Sequence, residues 1–570
     1  MKMKTNIKFF SVAVLVLGGM LLNACSTTDD FDAQSNNMID VSRLQFSLTD
    51  EPFSSDNSTR TRTSETPVTQ TIDLGNGLTA EVSIECDSAE QTATRAGIPL
   101  SNGKYYIYAV GNDGKRIKGA DKLLSGKLSG GVFKPDNFST LVLPAGTYTF
   151  VCYNEYVNDD GNKLTFTDDQ RARVGVTTQT LTPSPAAQEV AFAMKRQVAR
   201  VRFKIAAYTK ATTGVKAKLI STANQPTSVS YTDLISNPQT VTSAAINAVC
   251  TFPATSSTRN NLCGFDFFTP YAYYMAGTDG AKLKVSFSAG TIYQKSIAGK
   301  DFPLNHLGKL VGNASYTVRI KFTTFPLYLF HDGTCGLYEE RDTRTAIGLV
   351  INEKTANGMG KAVGLEIVQK DFGGGVYGAY KWEDETKTLP SNPDHLNTTV
   401  YNGVHDGQND MNGYNWTWDA NSTKDHVVRG NEQEKYPAFY GAGHYKPSNV
   451  TVTGNIDKWY IPAAGEVMEL FRRFGTVTVP ANEPWRGYCY MAQTDIDKML
   501  AAFTKANSDL HLEQYFYGRA QSVMLQIQVG LVPIYLLAST STVMVLGRFG
   551  GLHSQRQVVT SIFCPSFISK

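Results

Sequence analysis

Charge is sparse in this sequence and neither sign dominates: Asp, Glu, Lys and Arg make up 18% of 570 residues, and 54 basic against 51 acidic side chains leave a net charge of +3. Such a balance supplies no single-signed field to gather phosphate backbones, which sets nucleic acid aside as a partner. Trp is absent before Trp382 and His before His306, so all five Trp and all eight His fall in the later part of the chain. Two regions of different kinds are implied. Cysteine is scarce as well: besides Cys25, seven remain, at positions 86, 152, 250, 263, 335, 489 and 564. Seven is odd, so at least one is unpaired or the thiols are simply buried. No zinc-type Cys or His spacing occurs, and GxSxG, HExxH, P-loop and GxGxxG signatures are all missing. No catalytic residue, metal or cofactor is therefore assigned, and the chain is not taken for an enzyme.

What is present begins with one apolar run, residues 9–22, preceded by Lys2, Lys4 and Lys8 and ending in Leu22-Asn23-Ala24-Cys25. The run has the length and flanks of a signal peptide and is too short for a retained membrane span. Leu at −3, Ala at −1 and Cys at +1 resemble the lipobox of bacterial lipoproteins. The resemblance implies a signal over 1–24, acylation at Cys25 and attachment to the outer membrane, where more than one buried acyl chain gives stable anchoring. Asp29 and Asp30 resemble the acidic export signal of Bacteroidota surface lipoproteins. The other reading is an ordinary cleaved signal followed by an incidental Cys.

Residues 50–70 are dense in Ser, Thr, Asp and Pro and include Arg60 and Arg62, the composition of an exposed linker where proteases cut. Strand patterns follow. Residues 78–86 alternate apolar with polar after the turn pair Asn76-Gly77, and 104–110 and 141–154 continue as meander material for a sandwich. From Arg196 onward the pattern resumes: Val201, Phe203 and Ile205 are expected inward and Arg200, Arg202 and Lys204 toward water. Leu283, Val285 and Phe287 repeat it, and residues 314–320 echo 145–151, as two similar sandwiches in tandem would. Beyond Phe325 the texture changes. Residues 371–450, rich in Gly, Asn, Asp, Tyr and Trp, predict long ordered loops rather than strands. Pro462 at a helix start, the stripe Val467, Leu470, Phe471 and Phe474, and a second helical stretch over 495–506 predict an α+β module that closes with strands over 534–546 and 558–567.

The lipobox, the Ser/Thr-rich segment with Arg, LPAGTYTFVCYN over 143–154 and MKRQVARVRFKI over 194–205 together resemble the fimbrillin superfamily of Bacteroidota, the pilins of type V fimbriae. That likeness spans residues 25–325. It implies two transthyretin-like β-sandwiches, over 71–195 and 196–325, and a lipidated segment, 25–70, removed by an Arg-specific protease together with its first strand. A strand from another fimbrial subunit then fills the groove, since unpaired N–H and C=O groups and apolar pockets call for one. Residues 41–48 carry the alternation a removable strand needs, and Arg60, Arg62 and Arg95 are the candidate cut sites. A segment that only lifts the fold off the membrane, uncleaved, is the alternative.

Trp459-Tyr460-Ile461-Pro462-Ala463 with Glu466 resembles the helix start of C-type-lectin-like modules, here over 326–570, although calcium-binding signatures are missing. The His and Asp residues of 394–444 are irregularly spaced, and Asp406 to Gly413 suits an Asn/Asp/Gly turn better than a calcium loop, because no bidentate Glu stands at the required offset. Trp416 and Trp418 flank Thr417. In an extended conformation both indoles would face one way, with Asn415 and Asp419 as hydrogen-bonding neighbours, to meet a glycan or a host or bacterial surface protein. A core pair pinning a loop is the competing reading. Taken together the expectation is a mainly β, adhesive subunit of a surface fimbria, a tip subunit in particular, with a lipid-anchored glycan-binding lipoprotein as the alternative.

Overall fold

Alternation decides most of the strands, and the partners they find decide the architecture. The computed structural model describes residues 38–55, 69–86, 98–183, 188–260, 264–352, 360–367, 397–399, 401, 404–447, 450–453, 456–479 and 489–506, and five later strands by backbone alone. Residues 1–24 with Cys25, the cut-site candidates Arg60, Arg62 and Arg95, and Trp382, Trp485 and His395 lie outside the described residues. The protein is mainly β, with two β-sandwiches followed by an α+β module.

In the first sandwich a five-stranded sheet runs in the order Val174–Leu181, Gly146–Asn154, Gly103–Val110, Leu123–Ser129 and Val132–Pro135. Facing it are Glu189–Met194, Gln45–Asp50 and Ile98–Pro99, and both layers send side chains into one core that holds Ile107, Leu124, Phe150, Val190 and Phe192. The second sandwich sets Phe265–Phe268, Val198–Ala207, Ala314–Thr324, Leu78–Cys86 and Gln70–Gly75 against Thr213–Ser221 and Leu283–Ile292 with their neighbours. Val201, Phe203, Ile205, Leu283, Val285 and Phe287 are buried there, as their alternation predicts.

Two expectations are corrected. Leu78–Cys86, placed by its position within 71–195 in the first sandwich, pairs antiparallel with Ala314–Thr324 in the second, with Leu78 opposite Thr324 and Cys86 opposite Tyr316. Periodicity fixes which face is buried and is silent about the partner, so the chain crosses between sandwiches unannounced. The three cations of Val198–Ala207 do not point freely to water either. Arg200 and Arg202 donate through Nε to Ser315 Oγ and Thr317 Oγ1, each at 2.8 Å, and lie over the Tyr271 ring. Lys204 pairs with Glu85 and Asp266.

A four-stranded sheet of Asn158–Asp159, Lys163–Thr167, Gln225–Thr232 and Gln239–Ala244 takes strands from both sandwiches. Phe166 meets Tyr231 edge to face at 5.6 Å across it. Beside it Arg116 holds Asp159 in a two-bonded pair at 2.7 and 2.8 Å, an arrangement that fixes angle as well as distance.

After Thr324 the chain enters a sheet of Cys335–Gly336, Tyr328–Phe330, Ala346–Asn352, Gly360–Ile367 and Thr560–Phe563. Helices Ala464–Phe474 and Gln493–Ala506 stand close to the expected spans, and Val467, Leu470 and Phe471 of the first are buried. Leu327, Leu329, Ile347 and Trp459 join the core of the second sandwich, so the C-terminal module and that sandwich share apolar packing. Where long loops were expected, the described residues of 397–447 form short helical turns at Gly413–Trp418, Arg429–Asn431 and Pro437–Gly443. Among the described residues no helix is long and apolar enough to cross a membrane.

Candidate functional site

The segment expected to be removable is the one that completes the first sandwich. Asp40 accepts from Ser42 N at 3.0 Å and starts a 3-10 turn over Val41–Arg43, after which the chain extends as Gln45–Asp50. This strand lies parallel to Glu189–Met194, Phe46 opposite Val190 and Leu48 opposite Phe192, and on its other side meets Ile98–Pro99 through Thr49 and Asp50 alone. Gln45 N donates to Gln188 O at 3.1 Å and Glu51 N to Met194 O at 2.9 Å. Phe46 and Leu48 are 7% and 5% exposed, and the Phe46 ring meets Phe133 edge to face at 5.4 Å. Burial of two such side chains contributes about 1.5–3 kcal/mol each. The partner strand stands more than 140 residues away in sequence, so no hairpin ties the N-terminal strand to its neighbour.

At the end of the strand the groove becomes charged. Asp50 stands in phase with Phe46 and Leu48, on the side that should be apolar, and two guanidiniums meet it there. Arg173 Nε approaches Asp50 Oδ1 at 2.8 Å and Arg196 Nη2 approaches Oδ2 at 2.6 Å, with all three side chains 12–13% exposed. Burial, then the nearby Arg173 charge, holds the Arg196 guanidinium below its ordinary pKa. The following residues dock on the second sandwich: Arg196 Nη1 donates to Glu51 O at 3.0 Å, Asn313 Nδ2 to Pro52 O at 2.9 Å, and Ser54 N to Asn313 O at 3.0 Å. The Phe53 ring lies under Arg196 at 4.5 Å and Arg200 at 4.6 Å. Asp50, Phe53, Arg173 and Arg196 were not singled out from sequence; an acid in the buried phase of an alternating strand is the signal that points to them.

The C-terminal candidates are placed differently from the expectation. Trp416 and Trp418 lie on the helix Gly413–Trp418, where residues two apart point to different sides instead of sharing one face. Trp416, 7% exposed, donates Nε1 to Asp410 Oδ2 at 2.9 Å; Trp418 donates Nε1 to Trp459 O at 2.7 Å, and its ring fills the space a Cβ would need at Gly430 and Gly443. Both indoles pin loops to the module, and Trp416 turns no face to solvent. Asp419 starts the next turn, accepting from Asn421 N at 2.9 Å and Ser422 Oγ at 3.0 Å, while Asn415 is exposed. Trp416→Phe should cost about 1–3 kcal/mol, because the Asp410 carboxylate loses its indole donor in a buried setting; a lower urea midpoint measures it.

His405 lies 3.2 Å from Asp406, and His444 stacks on Tyr440 at 3.9 Å. Among the described residues no three His, Cys, Asp or Glu side chains form a metal-sized group. Cys152, Cys250 and Cys489 are free thiols and buried, and Cys335 is buried as well; burial pushes the Cys250 thiol up to about 11 and Cys489 to about 12, which leaves both as inert apolar side chains at neutral pH.

No family model and no curated protein matches the chain. Among solved structures, it is similar to a candidate cell adhesion protein from Bacteroides uniformis, at 13% identity and a TM-score of 0.27 over 40% of this chain and 93% of that one. A second candidate cell adhesion protein, from Bacteroides ovatus, shows 11% identity and a TM-score of 0.28, covering 49% of this chain and 95% of its own. A fimbrial assembly protein from Parabacteroides distasonis shows 13% identity and a TM-score of 0.20, over 38% of this chain and 83% of that one.

Proposed function

We propose that the protein is an adhesive subunit of a surface fimbria in which the N-terminal segment is a temporary strand, later exchanged for one donated by another subunit. The observation that carries this is the seating of Gln45–Asp50. It fills an apolar slot of the first sandwich from outside the local chain order, and a linker with Arg60 and Arg62 follows it directly in sequence. Its removal leaves the N–H and C=O edge of Glu189–Met194 and the pocket around Val190 and Phe192 open, the condition under which a sheet recruits a foreign strand.

A cut after Arg60 or Arg62 releases the first-sandwich strand together with the short stretch Glu51 to Ser55 that docks on the second sandwich. A cut after Arg95 would also detach Gln70–Gly75 and Leu78–Cys86, which belong to the second sandwich, so Arg95 is the poorer site. In this scheme Cys25 carries the acyl anchor that holds the subunit at the outer membrane until processing, and the lectin-like C-terminal module makes the contact at a fimbrial tip. The alternative, a permanently lipid-anchored glycan-binding lipoprotein, is favoured by the density of bonds from Asp50 to Ser54, which suit a strand that stays. N-terminal sequencing of the protein from purified surface filaments separates the two. A start directly after Arg60 or Arg62 is expected; an intact acylated Cys25 in the filament form would refute the exchange scheme.

A further inference from the structure

The charged end of the groove has a consequence for whatever strand replaces Gln45–Asp50. When that strand leaves, Arg173 and Arg196 lose the carboxylate that bridges them, at a place where each side chain is only 12–13% exposed. The other side-chain hydrogen bonds the structure gives Arg173 are to the carbonyls of Gln170 and Ala172, with the Asp169 carboxylate near enough to feel its charge, and Arg196 has besides Asp50 the Glu51 carbonyl, Asn313 Oδ1 and the Phe53 ring. Glu51 and Phe53 belong to the departing segment. Two half-buried cations side by side repel, and an occupant that covers them without an anion adds a desolvation cost to that repulsion.

We propose that the groove selects an incoming strand by an acidic residue at the register of Asp50, opposite Met194, in phase with two apolar side chains at the registers of Phe46 and Leu48. The inference rests on the strand-exchange reading and names the partner's chemistry within it. The carboxylate fixes register: a slip of one residue carries it to the opposite face and a slip of two draws it along the apolar slot, away from both guanidiniums. Apolar side chains alone tolerate the two-residue slip, because Val190, Phe192 and Met194 repeat along the acceptor strand at the same spacing.

The rule also says which strands do not fit. No Asp or Glu follows Glu513, so the strands Met524–Val529, Val532–Ala538, Val543–Leu546, Thr560–Phe563 and Ser566–Phe567 contain none. None of these C-terminal strands in a second copy of this chain meets the requirement, so the strand that the proposal commits to is one donated by a different protein.

The test uses the full chain with residues 59–63 replaced by the recognition sequence of a site-specific protease. After cleavage the N-terminal segment is held by non-covalent contacts alone, and labelled peptides are offered in excess while fluorescence anisotropy reports their entry. A peptide of residues 38–55 is expected to enter, its Asp50→Glu form to bind comparably, and its Asp50→Asn form to bind at least about thirtyfold more weakly, since one partner of a buried charge pair is lost. Arg196→Met in the chain should shrink that difference, and a peptide of residues 558–570 should not compete. Binding of the Asp50→Asn peptide within about threefold of the native one would overturn the acid requirement while leaving strand exchange intact. Failure of the native peptide itself to enter the cleaved chain would overturn strand exchange, and the acid requirement with it.

Discussion

Alanine at both Phe46 and Leu48 is expected to destabilise the first sandwich by about 5–8 kcal/mol, the sum of a Phe→Ala cost of about 3–5 and a Leu→Ala cost of about 2–5, trimmed because neighbours on one face share the cavity they leave. A domain stable by about 5–15 kcal/mol does not absorb such a loss easily. The effect should stay local. Both rings and branches point into the core around Leu124, Phe150 and Phe192, whereas the second sandwich is held by its own aromatic cluster of Phe287, Phe302 and Phe322, with centroids 5.3–6.2 Å apart. Hydrogen exchange measured by mass spectrometry separates the two. Glu189–Met194 and Gly103–Val110 should lose protection in the double variant, and Ala314–Thr324 should keep it. Unchanged protection along Glu189–Met194 would mean that the N-terminal strand is an ornament on a sandwich already complete, and the exchange scheme would lose its footing. The same experiment on wild-type chain cleaved in the linker shows the intermediate case, in which the strand is present but free to leave.

How far the sequence announces this arrangement depends on which link is asked about. The strand at 41–48 was legible as a unit because Phe46 and Leu48 alternate, and the helix over Ala464–Phe474 because its apolar stripe keeps a 3.6-residue period. Partners were not legible. Leu78–Cys86 shows the alternation of a half-buried strand in any sheet, and only the fold tells that it spans to Ala314–Thr324, over 230 residues away, instead of joining the strands that follow it. The same gap misplaced Arg200 and Arg202: their outward phase was right, yet Phe53, Phe268 and Tyr271 arrive from distant segments to cover that face. For Trp416 and Trp418 the error was local. Six residues of helix between Gly413 and Trp418 are too few to write a period, and the surrounding Gly and Asn argue for loop. The charged end of the groove could have been suspected from Asp50 in an apolar phase, although nothing in the sequence ties that acid to Arg173 and Arg196.

Lys361→Met should cost the C-terminal module about 3–5 kcal/mol at neutral pH, because it strands the Glu466 carboxylate at zero exposure. Glu466 Oε1 meets Lys361 Nζ and accepts from Tyr460 OH at 2.9 Å, while Oε2 accepts from Ala463 N at 2.8 Å at the start of its own helix. Space for it exists because residue 413 is Gly: a Cβ there would stand 2.5 Å from Oε2. Burial pushes the Glu466 carboxyl above the ordinary glutamate range, and Lys361 is the largest influence drawing it back. Folding therefore takes up a proton at pH values between the unfolded and the folded pKa, and stability falls as pH rises through that window. Without Lys361 the folded pKa climbs further and the window widens upward. The penalty of Lys361→Met should thus be largest at pH 7.5 and shrink toward pH 4.5, where the raised folded-state carboxyl is protonated more often than not and less charge is left to strand. Lys361→Met/Glu466→Gln should remove the pH dependence. Trp fluorescence during urea unfolding reports chiefly on this module, since all five Trp lie between positions 382 and 485, with Trp459 also touching the core shared with the second sandwich. Equal loss at pH 7.5 and 4.5 would assign the cost to the missing lysine stem rather than to the carboxylate. A graded loss that vanishes in the double variant would show that one buried ion pair joins the strand Gly360–Ile367 to the helix Ala464–Phe474 within the Trp-bearing module.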